Sequence, residues 1–281
     1  MNSQFVTLKQ GAESSNSDIR IADLVAYWDS RADSYLYGVA GELSDDRGVA
    51  WRRVVVNAAQ SVFASPGSVD ESPHILDLGC GPGFFEVLFA NLSCRIDAVD
   101  ASPQMIARAR QNLSEHSAQS KQCQVTFHTS DVSSLPFADN TFDLAIARNV
   151  TWLLLDPKAA YAEWLRVLRP GGMLLVFDGN WYRYLFHSDI DAQRRADQAA
   201  NSLEGWDESA QADAAEELEF EKTAKKLPMS PVMRPDWDKE ILGQLGATSV
   251  EADEGIWREL WTESEQAYYR SSPMFLVKAT K

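Results

Sequence analysis

The stretch ILDLGCGPGFF, residues 75–85, constrains this chain more than any other. An apolar run ends in Gly79, Gly81 and Gly83 at alternate positions, and a second apolar run with helical spacing, FFEVLFANL (84–92), follows at once. Glycine inside regular structure costs roughly 0.5–1 kcal/mol relative to alanine. Three in five positions therefore mark a backbone that turns sharply at positive φ or approaches something closely. The run before them, HILDLG (74–79), reads as a buried strand ended by glycine. RIDAVD (95–100), QVTFHTSD (124–131), TFDLAIARN (141–149) and MLLVFDGN (173–180) read as four more strands. SPQMIARARQNLSEH (102–116) is a helix with serine as N-cap and proline at its first position. DPKAAYAEWLRVLRPGG (156–172) is a helix capped by aspartate and stopped by Pro-Gly-Gly. Strands alternating with helices over short connections predict an α/β fold, a doubly wound, mostly parallel sheet with helices on both faces.

The rest of the chain reads differently. SDIRIADLVAYWDSRADSYL (17–36) is a capped amphipathic helix over the sheet edge. Residues 183–230 carry eleven carboxylates and six Lys or Arg, separated by alanine and glutamine, as expected of one or two solvated helices. RPDWDKEILGQLGA (234–247) reads as a helix, and TSVEADEGIW (248–257) and MFLVKATK (274–281) as the last two of seven strands. The expected organisation is an N-terminal helical segment (1–60), a core formed by 61–182 and 231–281, and a helical insertion after the fifth strand (183–230), serving as a substrate lid or a dimer arm.

Composition removes several functions. Forty-one acidic residues against twenty-six basic ones give a net charge of -15, which penalises binding to phosphate backbones and anionic lipids. The first residues lack a secretory signal, and no apolar run approaches a membrane span. The three cysteines, Cys80, Cys94 and Cys123, have no metal-ligand spacing, which suits a reducing cytoplasm and predicts no metal.

In a doubly wound sheet, ligands bind beyond the carboxyl ends of the strands, where the strand order reverses. The glycine turn sits at that place. The second strand ends in Asp100, about twenty residues on, where an acid commonly accepts from both hydroxyls of a ribose. The ligand should therefore contain a nucleoside. The spacing G-x-G-x-G, in place of G-x-G-x-x-G, argues against a dinucleotide, and a phosphate-cradling G-x-x-x-x-G-K-[ST] is absent.

Four motifs in order, ILDLGCGPGFF, AVDASPQMI, TSDVSSLPFADNTFDLAIARN and VLRPGGMLLVFD, resemble the class I S-adenosylmethionine-dependent methyltransferases, small-molecule type, similar to the group of ubiquinone and menaquinone biosynthesis. The match spans about residues 74–180, with a weaker one over 234–281. The resemblance implies the Rossmann-like methyltransferase fold and S-adenosylmethionine as cofactor, leaving as S-adenosylhomocysteine. It assigns Asp77, Gly79, Cys80, Gly81 and the loop through Gly83 to the amino acid part of the cofactor, and Asp100 to the ribose. Ala101 and Met105 would pack on the adenine. Asp131 would accept from its amino group, beside the amide of Val132; an Asx-turn is the other reading of Asp131. Arg148 and Asn149 would border the sulfonium. Tyr27, Trp28, Arg31 and Tyr35 of the front helix would cover the methionine part, or else form an aromatic stripe packed into the core.

Methyl transfer from a sulfonium is an in-line displacement that needs orientation and exclusion of water, worth about 7–11 kcal/mol, and needs a base only if the nucleophile carries a proton. No triad is demanded. Residues beyond the fourth and fifth strands should face the substrate: Asn149, Thr151, Trp152, Asn180, Trp181 and Tyr182. The aromatics of this second stretch, with Tyr184 and Phe186, serve equally well to dock the insertion. The candidate bases are His187, Tyr182 and Asp178, since His74, His116 and His128 lie away from the expected pocket. The expected activity is methylation of an O, N or C atom of a small organic molecule by a cytoplasmic monomer or homodimer. The rival is a non-catalytic nucleoside-binding or interaction protein that keeps the fold.

Overall fold

The computed structural model describes residues 19–43, 46–63, 72–116, 122–201 and 214–281. They form one seven-stranded sheet with strands β1 (His74–Leu78), β2 (Arg95–Asp100), β3 (Gln124–Thr129), β4 (Phe142–Arg148), β5 (Leu168–Asp178), β6 (Ser249–Asp253) and β7 (Phe275–Thr280). Their spatial order is β3-β2-β1-β4-β5-β7-β6. Only β7 runs antiparallel to its neighbours β5 and β6. The order reverses between β1 and β4, so a crevice opens at their carboxyl ends. This is the doubly wound, mostly parallel sheet that the sequence predicts.

The helices follow from local chemistry. Among the described residues three precede β1: α1 (Ile21–Leu43), α2 (Asp46–Ala58) and the single turn α3 (Gln60–Phe63). The start predicted for the first of them, residues 17–18, lies outside the described residues, and α1 continues past the predicted end at 36. The glycine loop leads into α4 (Phe84–Leu88), shorter than the apolar pattern to residue 92 predicts. Then comes α5 (Pro103–His116), where the Ser102 hydroxyl accepts from the Met105 amide as the cap requires. Asp156 caps α6 (Pro157–Val167) by accepting from the Ala159 amide at 2.9 Å. Pro-Gly-Gly belongs to β5 and does not follow the helix as a separate stop. Leu168 already pairs with Phe142, and the ladder shifts before resuming at Leu144–Met173. After β5 come α7 (Ser188–Ala200), α8 (Ala214–Ala224) and α9 (Asp236–Gln244); α10 (Trp257–Leu260) and α11 (Glu263–Tyr268) lie between β6 and β7. The stretch 202–213 of the predicted insertion is outside the described residues.

Side chains alternate across the strands. On one face, Ile75, Ile146 and Phe177 pack with Phe84, Phe85 and the fully buried Trp51 of α2. On the other, Leu76, Ala145 and Val176 pack with Tyr161 and Trp164 of α6 and Leu242 of α9. A third, smaller cluster joins Leu24 of α1, Trp152 after β4, and Phe220, Ala224 and Leu227 at α8. It ties the first helix to the insertion beside the crevice.

The link from β5 to α9 is ionic. The Arg234 guanidinium, 2% exposed as a residue, donates to Asp178 at 2.6 Å and to Asp238 at 2.6 Å, and Tyr161 donates its hydroxyl to Asp238. Asp178 also accepts from the Gly179 amide and the Trp181 indole N–H. Asn180 brackets the Arg234 backbone with one donated and one accepted hydrogen bond. Removing one partner of a buried pair leaves an uncompensated charge, a loss of about 3–5 kcal/mol. Arg234→Met keeps the stem and removes the charge. It should lower the urea unfolding free energy by that amount at pH 7, whereas a loss below about 1 kcal/mol would show that the network contributes little.

Candidate active site

A cavity of about 410 Å³ lies at the carboxyl ends of β1 to β4. Each strand delivers its last or following residues to the wall: Gly79 and Gly81 after β1, Asp100 to Ser102 at the end of β2, Asp131 to Ser133 after β3, and Arg148 to Val150 at the end of β4. Met105 of α5 and Leu153 to Asp156, before α6, complete the floor. The roof is α1, through Ile21, Leu24, Val25, Trp28 and Tyr35.

The glycine turn has two separate steric reasons. Gly79 has φ 69°, and a Cβ there would meet Val150 Cγ2 at 2.5 Å, so only glycine lets β1 and β4 close. Gly81 has φ 53° and lines the cavity, and a Cβ there would meet nothing nearer than the Tyr35 ring at 3.7 Å. Its missing side chain leaves room for a ligand against the backbone. Gly83, although part of the expected cofactor loop, packs on α5 at Ala109 and does not line the cavity.

Asp100 joins the loop to the second strand. One carboxylate oxygen accepts from the Gly81 amide at 2.9 Å and the other from the Ser102 amide at 2.8 Å. Each oxygen keeps further lone-pair capacity at the cavity wall. Burial pushes its pKa up to about 6; the Ser102 and Gly81 amides pull the other way, and Asp29 adds repulsion. Asp29, on α1, accepts from the Ser102 hydroxyl and the Gln104 amide at the start of α5. Asp33, one turn further, pairs with Arg108. The roof is thus tied to the helix that follows Asp100, a contact the sequence reading missed. Asp29 and Asp33, one turn apart on the same helical face, were the signal for it.

At the end of β4, Arg148 donates through one nitrogen to both oxygens of Glu42 at 2.8 and 2.7 Å, and its guanidinium lies over Phe84 and Trp51. Its Nε is buried without a partner, as is the Oδ1 of Asn149, a residue held at φ 58°. Asp77 is buried beneath the loop; burial and the neighbouring Glu86 push its carboxyl up. Ala101, Met105 and Val132 stand on the wall. Asp131 does so while also accepting from the Ser133 amide at 2.8 Å, so the Asx-turn and the wall position are both present.

Other expected residues are placed elsewhere. Trp28 and Tyr35 face the cavity, but Tyr27 and Arg31 point to α8. Tyr27 stacks on Phe220 with centroids 4.0 Å apart, and Arg31 pairs with Glu216. Cys80 is buried off the wall. Asp178, Asn180 and Trp181 are held in the Arg234 network. Trp152 is buried in the third cluster, where Tyr182 packs on it at 5.1 Å. His187 sits at the start of α7, away from the cavity wall. Tyr184 packs under Arg194 of α7 and donates to Glu221 of α8, a docking role.

Residues 76–176 match the family model of the methyltransferase domain. Over this stretch the chain is similar to the class I S-adenosylmethionine-dependent methyltransferases. It is 35% identical over 130 residues to the demethylmenaquinone methyltransferase of Renibacterium salmoninarum, covering 45% of this chain and 46% of that one. It is 32% identical over 109 residues to the malonyl-[acyl-carrier protein] O-methyltransferase of Serratia marcescens, covering 39% of each. The chain thus spans less than half the length of these two curated relatives. The plantazolicin methyltransferase BpumL, solved in complex with SAH, superposes with a TM-score of 0.56 at 14% identity, over 93% of this chain and 97% of that one, a likeness of fold. The cavity suits the methyltransferase cofactor: a Cβ-free approach at Gly81, spare acceptor capacity on Asp100, and unpaired buried polar atoms on Arg148 and Asn149.

Asp100→Ala should weaken S-adenosylhomocysteine binding at least tenfold, the worth of a charge-assisted hydrogen bond at about 1.5–3 kcal/mol, with the far-ultraviolet spectrum unchanged. Hydroxyl donors favour the ionised carboxylate. Affinity should therefore be level above about pH 6 and fall below it, and Asp100→Asn should remove that step. Unchanged affinity in folded Asp100→Ala would contradict the assignment.

Proposed function

We propose that this protein transfers a methyl group from S-adenosylmethionine to an O, N or C atom of a small organic molecule. The observation that carries the reading is the cavity itself, with the bare backbone of Gly81 and the Asp100 carboxylate on its wall and α1 closing over both. The bound cofactor supplies the electrophilic methyl. The chain supplies position and dryness. Gly79 and Gly81 admit the amino acid part, Asp100 fixes the ribose, and Ala101, Met105 and Val132 hold the adenine. Arg148 and Asn149 border the reacting end, and the apolar roof of α1 excludes water.

Proton removal is not where this site invests. Asp178 is neutralised by Arg234, burial pushes the Tyr182 phenol far above its ordinary range, and His187 is off the wall. Acceleration would come from alignment of donor and acceptor. The net charge of -15 favours a small-molecule acceptor over nucleic acid. Among the described residues no helix is long and apolar enough to cross a membrane, and no cluster of residues could hold a metal. We place the reaction in the cytoplasm, in a monomer or homodimer.

Calorimetry should show binding of S-adenosylhomocysteine and none of NAD. With methyl-labelled cofactor and a fractionated extract, label should enter the small-molecule fraction. Label in protein or nucleic acid instead would overturn the acceptor class, and failure to bind S-adenosylhomocysteine would overturn the whole reading.

Residues 183–201 and 214–230 fit a movable cover in this scheme. Phe220 of α8 wedges among Tyr27, Trp152 and Tyr182, Glu216 pairs with Arg31, and Glu221 accepts from Tyr184. Held by this small cluster of Phe220, Ala224 and Leu227 and by these pairs, the cover opens at lower cost than the two main cores of the sheet. Amide exchange in 188–200 and 214–224 should slow when S-adenosylhomocysteine binds. Phe220→Ala should speed it there and leave β1 to β5 protected. Exchange that is slow and independent of ligand would make the segment a fixed arm.

A further inference from the structure

Cys94 and Cys123 meet at the end of the sheet opposite the cavity. Each directly precedes a strand, Cys94 before β2 and Cys123 before β3. Arg95 and Gln124 are register partners in the parallel pair, and the Gln124 amide donates to the Cys94 carbonyl at 2.9 Å, so the two cysteines stand side by side. Neighbouring strands lie about 4.8 Å apart, within the Cα separation of about 4.4–6.8 Å that a disulfide spans. The two thiols face each other with their sulfurs 2.7 Å apart. Both residues are buried, Cys94 at 2% and Cys123 at 8% exposure, while Cys80 lies apart under the glycine loop.

We propose that Cys94 and Cys123 form an oxidation site that a small-molecule disulfide such as oxidised glutathione converts into an intramolecular disulfide, stapling β2 to β3. Cys123, the more exposed, loses its proton and its thiolate attacks the glutathione disulfide. This gives a mixed disulfide and one glutathione thiolate, which takes up that proton. Cys94 then loses its proton and attacks the Cys123 sulfur. The protein disulfide closes and a second glutathione leaves as thiol. Two protein thiols are oxidised and one glutathione disulfide is reduced to two glutathiones. The neighbouring thiol of Cys94 and burial push the Cys123 thiol up, so the reaction is slow, on the scale of minutes to hours. The closed loop contains β2, Asp100 and α5, and constraining it stabilises the fold through the unfolded chain. The bond forms at the amino ends of the strands and leaves the cavity wall as it is.

The test is to incubate the native full-length protein with oxidised glutathione, quench, alkylate under denaturing conditions and digest. The expected product is two hydrogens lighter than the reduced chain. It yields one cross-linked peptide pair joining Cys94 to Cys123, with Cys80 alkylated. Its thermal midpoint should rise by about 5–10 °C, reversibly with dithiothreitol. Cys94→Ala and Cys123→Ala should show no oxidant-dependent shift, and S-adenosylhomocysteine affinity of the wild type should be the same in both redox states. Three alkylated cysteines after oxidation, a cross-link through Cys80 or a bond between two chains would overturn the proposal; the wild-type mass decides this even if a variant fails to fold. A bond that forms without raising the midpoint would overturn the staple.

Discussion

Everything at the cavity depends on one backbone turn, from Leu78 to Phe84. Its positive-φ conformation is what brings β1 within contact of Val150 after β4, lets α4 start where α5 packs, and leaves the Gly81 amide aimed at Asp100. The Asp100 carboxylate then holds both the turn and the first residues after β2 with two amide hydrogen bonds. A side chain on Gly79 would separate β1 from β4 and remove the wall the other strands complete. The sheet provides position, and this turn makes the position usable.

Closure from above is a second, separable layer. The roof α1 contributes apolar side chains to the cavity and carboxylates to α5: Asp29 at its amino end and Asp33 on Arg108. An acid beside a helix start is favourable, because the unpaired amides and the helix dipole both attract it. The same Asp29 charge raises the proton affinity of Asp100. The roof therefore couples two jobs, covering the cavity and tuning the acid on its wall. On its other face the same helix meets α8 through Tyr27 and Arg31.

Much of this was legible in the sequence because it is local or periodic. The apolar runs gave the strands, Ser102 and Asp156 announced the helix starts they cap, and the interval between Gly81 and Asp100 follows from one strand–helix–strand unit. The capping box at Thr262 and Glu265 was equally local and was passed over. What could not be read is what needs distant partners. Tyr27, Trp28, Arg31 and Tyr35 share a helix, and only packing decides that the second and fourth face the cavity while the first and third face α8. Asp178 looked like a site residue because it ends β5. Arg234, fifty-six residues later, makes it structural instead. Trp181 and Asn180 belong to the same buried network for the same reason.

The claim that this turn and Asp100 together hold a nucleoside is tested most directly by a crystal structure of the protein with S-adenosylhomocysteine. The account predicts both ribose hydroxyls within hydrogen-bond distance of the Asp100 carboxylate, the adenine between Met105 and Val132, and the amino acid tail against the backbone of Gly79 to Gly81 beneath Tyr35. A ligand bound away from the carboxyl ends of β1 and β2, or a ribose that Asp100 does not touch, would contradict it.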